Sequence, residues 1–132
     1  MPHLITFRST KFDVTKETPN LINPLAGQSV LQWLGDKLKG SPYEAATPQP
    51  EDWGWHSHVR SVKGSYLVGA SADAEQRSAN VEWIIRIDKR RSLKDKLTGS
   101  NKLTTDDPLS SLVERLLHGE SEIADVYVDK NA

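Results

Sequence analysis

The 132-residue chain carries 17 basic and 18 acidic side chains, 36% hydrophobic residues and no cysteine. A chain of this length usually forms one domain with its own hydrophobic core, so we expect a single α+β domain over residues 1–132. The lack of cysteine excludes disulfides, thiolate nucleophiles and cysteine-ligated metal centres.

The N-terminal residues lack the charged start and apolar core of a secretory signal. No apolar stretch approaches the ~20 residues of a membrane helix. We therefore expect a cytoplasmic protein that does not contact a membrane.

The first quarter of the chain predicts a strand followed by a helix. Residues 4–13 alternate in part, with Ile5 and Phe7 on one face. Asn23-Pro24 is typical of a helix start. Asparagine can cap the first turn, and proline at the first helical position lacks an N–H group that would have no hydrogen-bond partner there. Gly40 with Ser41-Pro42 predicts the helix end. Between them an apolar stripe recurs at helical spacing, formed by Gly27, Val30, Leu31, Leu34 and Leu38.

The middle of the chain predicts consecutive antiparallel strands. Two prolines restrict residues 43–52 to an edge strand. Residues 53–62 and 65–72 are predicted to form a hairpin around Lys63-Gly64. In the first of these strands one face is expected to hold Trp53, Trp55, Ser57 and Val59, and the other Gly54, His56, His58 and Arg60.

The last part of the chain predicts a central strand, two helices and a closing strand. After a loop over residues 73–80, residues 81–87 alternate strongly, and Ile84 adds apolar character to the second face, as expected for a central strand. Residues 92–97 predict a short helix capped by Ser92. Asp107-Pro108 predicts a helix start, and residues 123–129 a final strand. The apolar stripe of that helix comprises Leu109, Leu112, Val113, Leu116 and Leu117.

Together these elements predict an α+β fold: a mostly antiparallel sheet of five to six strands, with two main helices packed on one face. The order of the strands cannot be derived from spacing.

His56 and His58 are the first candidate site. Residues i and i+2 of a strand project from the same face, so the two imidazoles could bind one metal ion. A catalytic zinc site usually needs a third protein ligand, and Asp52, Glu44, His3 or Asp73 would have to supply it. Two exposed histidines on a polar face are the favoured interpretation.

Glu51, Asp52, Trp53 and Trp55 are the second candidate. Adjacent carboxylates in extended chain point to opposite faces, so they do not form an acid–base pair. The two indoles could belong to the core, or they could form an interface, in which tryptophan is enriched.

The third candidate is a basic cluster over residues 89–102. It includes Lys89, Arg90, Arg91 and Lys94, followed by Lys96 and Lys102. On a chain of net charge −1 this cluster favours a solvated surface over a nucleic-acid interface.

Three groups of residues carry a resemblance to a family: Thr10-Lys11-Phe12-Asp13, then Asn23-Pro24 with Gly27 and Trp33-Leu34, then residues 50–55. The chain resembles a group of small bacterial proteins of uncharacterised function. The resemblance implies a bacterial, cytosolic origin and assigns no catalytic or binding residue.

The sequence contains no catalytic motif and favours a non-enzymatic, immunity-like or adaptor-like module that binds another protein, without a cofactor. Its interaction residues would be Glu51, Asp52, Trp53 and Trp55, and an edge strand could also pair two copies of the chain. Two alternatives remain: a small metal-dependent hydrolase using His56 and His58, and a weak nucleic-acid binder using the basic cluster.

Overall fold

The computed structural model describes residues 1–75 and 80–131. Within these residues, eight strands form one antiparallel sheet: β1 (His3–Ser9), β2 (Leu25–Ala26), β3 (Glu44–Ala45), β4 (Gln49–Glu51), β5 (Gly54–Ser61), β6 (Gly64–Asp73), β7 (Val81–Lys89) and β8 (Ile123–Asp129). Three α-helices accompany them: α1 (Gln28–Leu38), α2 (Leu93–Thr98) and α3 (Pro108–His118). The predicted α+β class is confirmed, with more strands than expected and one short helix besides the two main ones.

The strand order is β3-β5-β6-β7-β1-β8, with β2 paired to β6 and β4 paired to β5. The region predicted as an edge strand thus contributes two short strands, β3 and β4, to the same edge of β5. The predicted hairpin joins β5 to β6, where Ser61 pairs with Gly64. Of the loop predicted over residues 73–80, residues 76–79 lie outside the described part of the chain.

One face of the sheet forms the hydrophobic core with α1 and α3. Inward residues of neighbouring strands lie opposite one another, as Ile5, Ile85 and Ala70 do across β1, β7 and β6. The two main helices contribute to the same buried cluster through Val30, Leu31, Leu34, Leu38, Leu109, Val113 and Leu117. The helical stripes read from the sequence therefore cover one side of the sheet, as a two-layer α+β architecture requires.

The start of α1 differs from the prediction. The helix begins at Gln28, and Asn23-Pro24 lies before β2. The carboxylate of Glu17 accepts hydrogen bonds from the backbone N–H groups of Gly27, Gln28 and Ser29. A side chain ten residues upstream thus supplies the cap that the asparagine was expected to supply.

The other helix signals are confirmed. Ser92 and Asp95 form a capping box at the start of α2, and Gly99 ends it in the left-handed conformation. The side chain of Asp107 accepts from the N–H groups of Leu109 and Ser110 at the start of α3. None of the described helices combines the length and apolarity needed to cross a membrane.

Candidate functional site

We call the face of the sheet opposite α1 and α3 the open face; α2 contributes Lys96 to a cleft at one end of it. Its side chains alternate with core side chains along the central strands. It includes Leu4, Thr6, Arg8, His56, His58, Arg60, Leu67, Gly69, Ser71, Glu82, Ile84, Arg86, Asp88, Tyr127 and Asp129. Strand β7 is central, as predicted, but the reason given was wrong, since Ile84 lies on the open face with 39% of its surface exposed.

Three rows of side chains cross the open face from strand to strand. Ser71, Ile84, Thr6 and Tyr127 form one row. His56, Gly69, Arg86 and Leu4 form the next. His58, Leu67 and Asp88 form the third, at the end of the sheet. The aliphatic Ile84 and the aromatic Tyr127 thus share one row, and the next row contains the charged Arg86.

Trp53 joins the open face from a hairpin turn. The register Glu51 to Gly54 leaves Asp52 and Trp53 as a two-residue turn between β4 and β5. The indole lies over Gly69, because a Cβ atom there would be only 2.4 Å from Cζ3 of Trp53. It remains 41% exposed. The expectation that Trp53 shares the face of Trp55 is therefore wrong, because the turn breaks the alternation.

Trp55 belongs to the core. It is 3% exposed, and its indole Nε1 donates to the carbonyl of Leu25 at 3.2 Å. Gly27, which has φ 159° and so an extended backbone, approaches it closely: a Cβ there would lie 3.3 Å from Cβ of Trp55. The interaction site predicted from the sequence is thus divided, with Trp53 on the surface and Trp55 inside.

The two acids of that segment also separate. A carboxylate oxygen of Glu51 lies 3.1 Å from Nδ1 of His56, whereas the backbone carbonyl of Asp52 accepts a hydrogen bond from the Asn23 side chain. Asn23 therefore anchors this hairpin turn rather than a helix.

His56 and His58 lie side by side on the open face, with ring centroids 5.3 Å apart. Nη1 of Arg90 is 2.9 Å from Nδ1 of His58. Burial, and next to it Arg90 and His56, lower the pKa of His58 from its usual value. Within residues 1–75 and 80–131 no three histidine, aspartate or glutamate side chains converge to hold a metal ion. A guanidinium bonded to one imidazole further disfavours a cation there.

Basic side chains surround a cleft of about 950 Å³ at the His58 end of the open face. We call it the basic cleft. Its cationic lining comprises Lys89, Arg90, Arg91, Lys96, Lys102 and Lys130, against one carboxylate of the described residues, Asp88. Of the predicted basic residues Lys94 does not line it, whereas Lys130 does, although it lies 28 residues beyond Lys102.

The cations of the basic cleft are held in position mainly by neutral groups. Arg91 donates to the carbonyls of Ser100 and Asp95. Lys89 lies over the ring of Tyr66, with Nζ 5.7 Å from its centroid. Lys130 donates to the carbonyl of Thr105 at 2.7 Å and lies 4.0 Å from Glu114. Among the ion pairs of the described residues, none involves Lys89, Arg90, Arg91, Lys96 or Lys102.

Comparison with protein-family models, curated proteins and solved structures finds no match for this chain. The open face and the basic cleft are therefore the two features of the molecule that indicate a function.

Proposed function

We propose that the protein is a non-enzymatic module that binds another protein reversibly through the open face. The observation that carries this proposal is the exposure of large side chains on the sheet face opposite α1 and α3: Trp53 at 41%, Ile84 at 39% and Tyr127 at 67%. An antiparallel sheet often leaves one face in water, but such a face is usually polar. Here an indole, a phenol and an aliphatic side chain occupy it.

The charged groups beside these three residues also support a protein partner. Arg8 pairs with Glu82 at 3.0 Å and Arg86 with Asp88 at 3.8 Å. Protein interfaces are enriched in aromatic residues and arginine and depleted in lysine. The open face has Arg8, Arg60 and Arg86 and, among its described residues, no lysine, so its composition is that of an interface core with a polar rim.

The size of the open face favours a transient complex. Five strands spaced by about 4.8 Å, each seven or more residues long, give a flat area of about 400 Å². Stable interfaces bury about 800 Å² on each partner. A partner that covers this face and little else would bind weakly and dissociate readily.

Site-specific photo-crosslinking tests the proposal. A photoreactive phenylalanine analogue replaces Tyr127 or Ile84 on the open face, and Val62 as the control; Val62 is fully exposed at the β5–β6 turn. We expect one protein of the source cells to be crosslinked through positions 84 and 127, but not through 62. Competition by unlabelled protein should abolish the crosslink, and competition by a Tyr127→Glu, Ile84→Glu variant should not.

Two results would contradict the proposal. Equal crosslinking at all three positions would show nonspecific contact. A crosslink only to a second copy of this chain, with a concentration-dependent dimer in analytical ultracentrifugation, would assign the open face to self-association instead.

A further inference from the structure

We propose that the basic cleft binds the phosphate groups of a nucleotide that carries a di- or triphosphate. The basic cleft does not include Trp53, Ile84 or Tyr127, although it shares His58, Leu67 and Asp88 with the open face, and nucleotide binding goes beyond binding of a protein partner. The phosphate chain is the group that the basic cleft recognises, and the base is held at the rim of the cleft.

An excess of positive charge is the first argument. Five cations without an ion pair among the described residues surround one cleft, in a chain whose net charge is −1. Elsewhere Arg8, Lys39 and Arg60 each pair with an acid. Lys37 and Lys63 have no ion pair among the described residues, but neither of them lines the basic cleft with other cations. Like charges in one cleft repel one another, so a bound anion would relieve that repulsion.

Charge density selects phosphate over carboxylate. Each terminal phosphate carries about −1.5 to −2 charges near neutral pH and presents three acceptor oxygens. In an acidic peptide, carboxylates on one side of an extended chain are about 7 Å apart, and each carries a single charge. A compact cleft with two arginines and several lysines suits the denser ligand, because guanidinium groups bind phosphate oxygens in a bidentate manner.

The size and rim of the basic cleft favour a nucleotide over inorganic phosphate. Its volume of about 950 Å³ is close to the upper limit of the volumes of small-molecule sites, about 1,000 Å³. The exposed imidazole of His58 and the side chains of Leu67 and Leu103 supply aromatic and apolar surface beside the cations. Nucleobases stack on aromatic side chains, histidine included, and the two leucines would add apolar contact to a base.

Isothermal titration of the full chain with ATP, ADP, AMP and adenosine, in magnesium-free buffer, tests the proposal. We expect affinity to rise from adenosine to ATP and to fall as salt increases, since phosphate contacts release counterions. Inorganic triphosphate should bind more weakly than ATP, because it lacks the base.

Two charge-matched double variants localise the binding. Lys96→Gln with Lys102→Gln removes two exposed cations of the basic cleft. Lys37→Gln with Lys63→Gln removes two exposed cations elsewhere. The first double variant should bind ATP roughly tenfold more weakly or worse, given the strength of charge-assisted hydrogen bonds. The second should change the affinity by less than about twofold, since distant surface charges are screened. Thermal unfolding of both variants checks that the fold is kept.

Three further ligands decide between the sources of negative charge. A ten-residue oligothymidine that binds more tightly than ATP would retain phosphate recognition and assign it to a nucleic-acid strand. A deca-glutamate peptide that binds as tightly as ATP would overturn the proposal in favour of an acidic protein segment. If inorganic triphosphate bound as tightly as ATP, the proposed contact between the base and the rim of the cleft would be refuted. If ATP did not bind at low salt, the proposal would be overturned altogether. The crosslinking test of the open face would be unaffected by that result.

Discussion

Replacement of Gly69 by alanine is expected to displace Trp53 from the sheet. The new Cβ atom would lie 2.4 Å and 2.5 Å from two carbons of the indole ring, whereas carbon atoms in contact are about 3.5–4.0 Å apart. The ring must therefore move outward by about 1 Å or more. The backbone of residue 69 is not in the left-handed region, so the alanine itself adds no strain there.

The expected magnitude follows from two opposing effects. Forcing a methyl group against a packed ring costs about 1–3 kcal/mol. Loss of glycine's freedom in the unfolded chain stabilises the protein by about 0.4–1 kcal/mol. Gly69→Ala alone should thus destabilise the protein by about 1 kcal/mol. In a Trp53→Ala background the clash is absent, and the same change should stabilise it by about 0.4–1 kcal/mol.

Urea denaturation of the four proteins of this double-mutant cycle, followed by circular dichroism, measures both effects. We expect Gly69→Ala to lower the free energy of unfolding in the wild-type background and to raise it in the Trp53→Ala background. The coupling energy between the two substitutions should be about 1.5–2 kcal/mol, which is within the range found for residues in contact. If Gly69→Ala destabilised both backgrounds equally, Trp53 would not lie over Gly69, and its place on the open face would be refuted.

Three further predictions concern the core and the helix cap. Trp55→Ala should cost about 3–5 kcal/mol in unfolding free energy, as for other buried tryptophans; a cost under 1 kcal/mol would contradict its burial. Glu17→Ala should cost about 0.5–2 kcal/mol, since it removes the cap of α1, and Asn23→Ala should leave the helix content measured by circular dichroism unchanged. Burial, and next to it Lys130, lower the pKa of His3, so the unfolded chain binds the extra proton first and stability is lost as pH falls below about 6.5. Denaturation at pH 5 and pH 8 should show a smaller pH effect in His3→Asn than in His118→Gln; equal effects would refute this role of His3.

The elements that the sequence predicted well are those whose signals are local. The stripe of α3 and the cap at Asp107-Pro108 lie within a few residues of each other, and both are confirmed. The alternation of residues 81–87 likewise predicts β7. Such patterns depend on the period of a helix or strand and need no knowledge of distant residues.

The start of α1 could not be predicted because its cap is distant in sequence. Asn23-Pro24 is a good local signal, yet the amide of Asn23 donates to the carbonyl of Asp52. Glu17 reaches the helix N-terminus across an intervening loop and the short strand β2. Nothing in the spacing of Glu17 from the helix indicates this contact.

The candidate site was only partly predictable for the same reason. Strict alternation placed Trp53 with Trp55, and only the turn between β4 and β5 separates them. Gly54, close to Asp52, was the available signal, because glycine near aspartate favours a turn over a continuous strand; in the structure it adopts φ 143°. Lys130 reaches the basic cleft because β8 pairs with β1, a long-range pairing that no short motif indicates.

Cysteine reactivity at two neighbouring residues tests most directly whether one face of the sheet is open. The chain has no cysteine of its own, so Ile84→Cys and Ile85→Cys each introduce a single thiol. Ile85 is fully buried, whereas Ile84 is 39% exposed. Under native conditions a thiol reagent should modify Cys at position 84 at close to the rate for the unfolded chain. At position 85 it should react slower by a factor on the order of 10³ or more, because reaction there requires opening of the core. Equal protection at both positions in the dilute, isolated protein would mean that the face is covered, and would contradict the account.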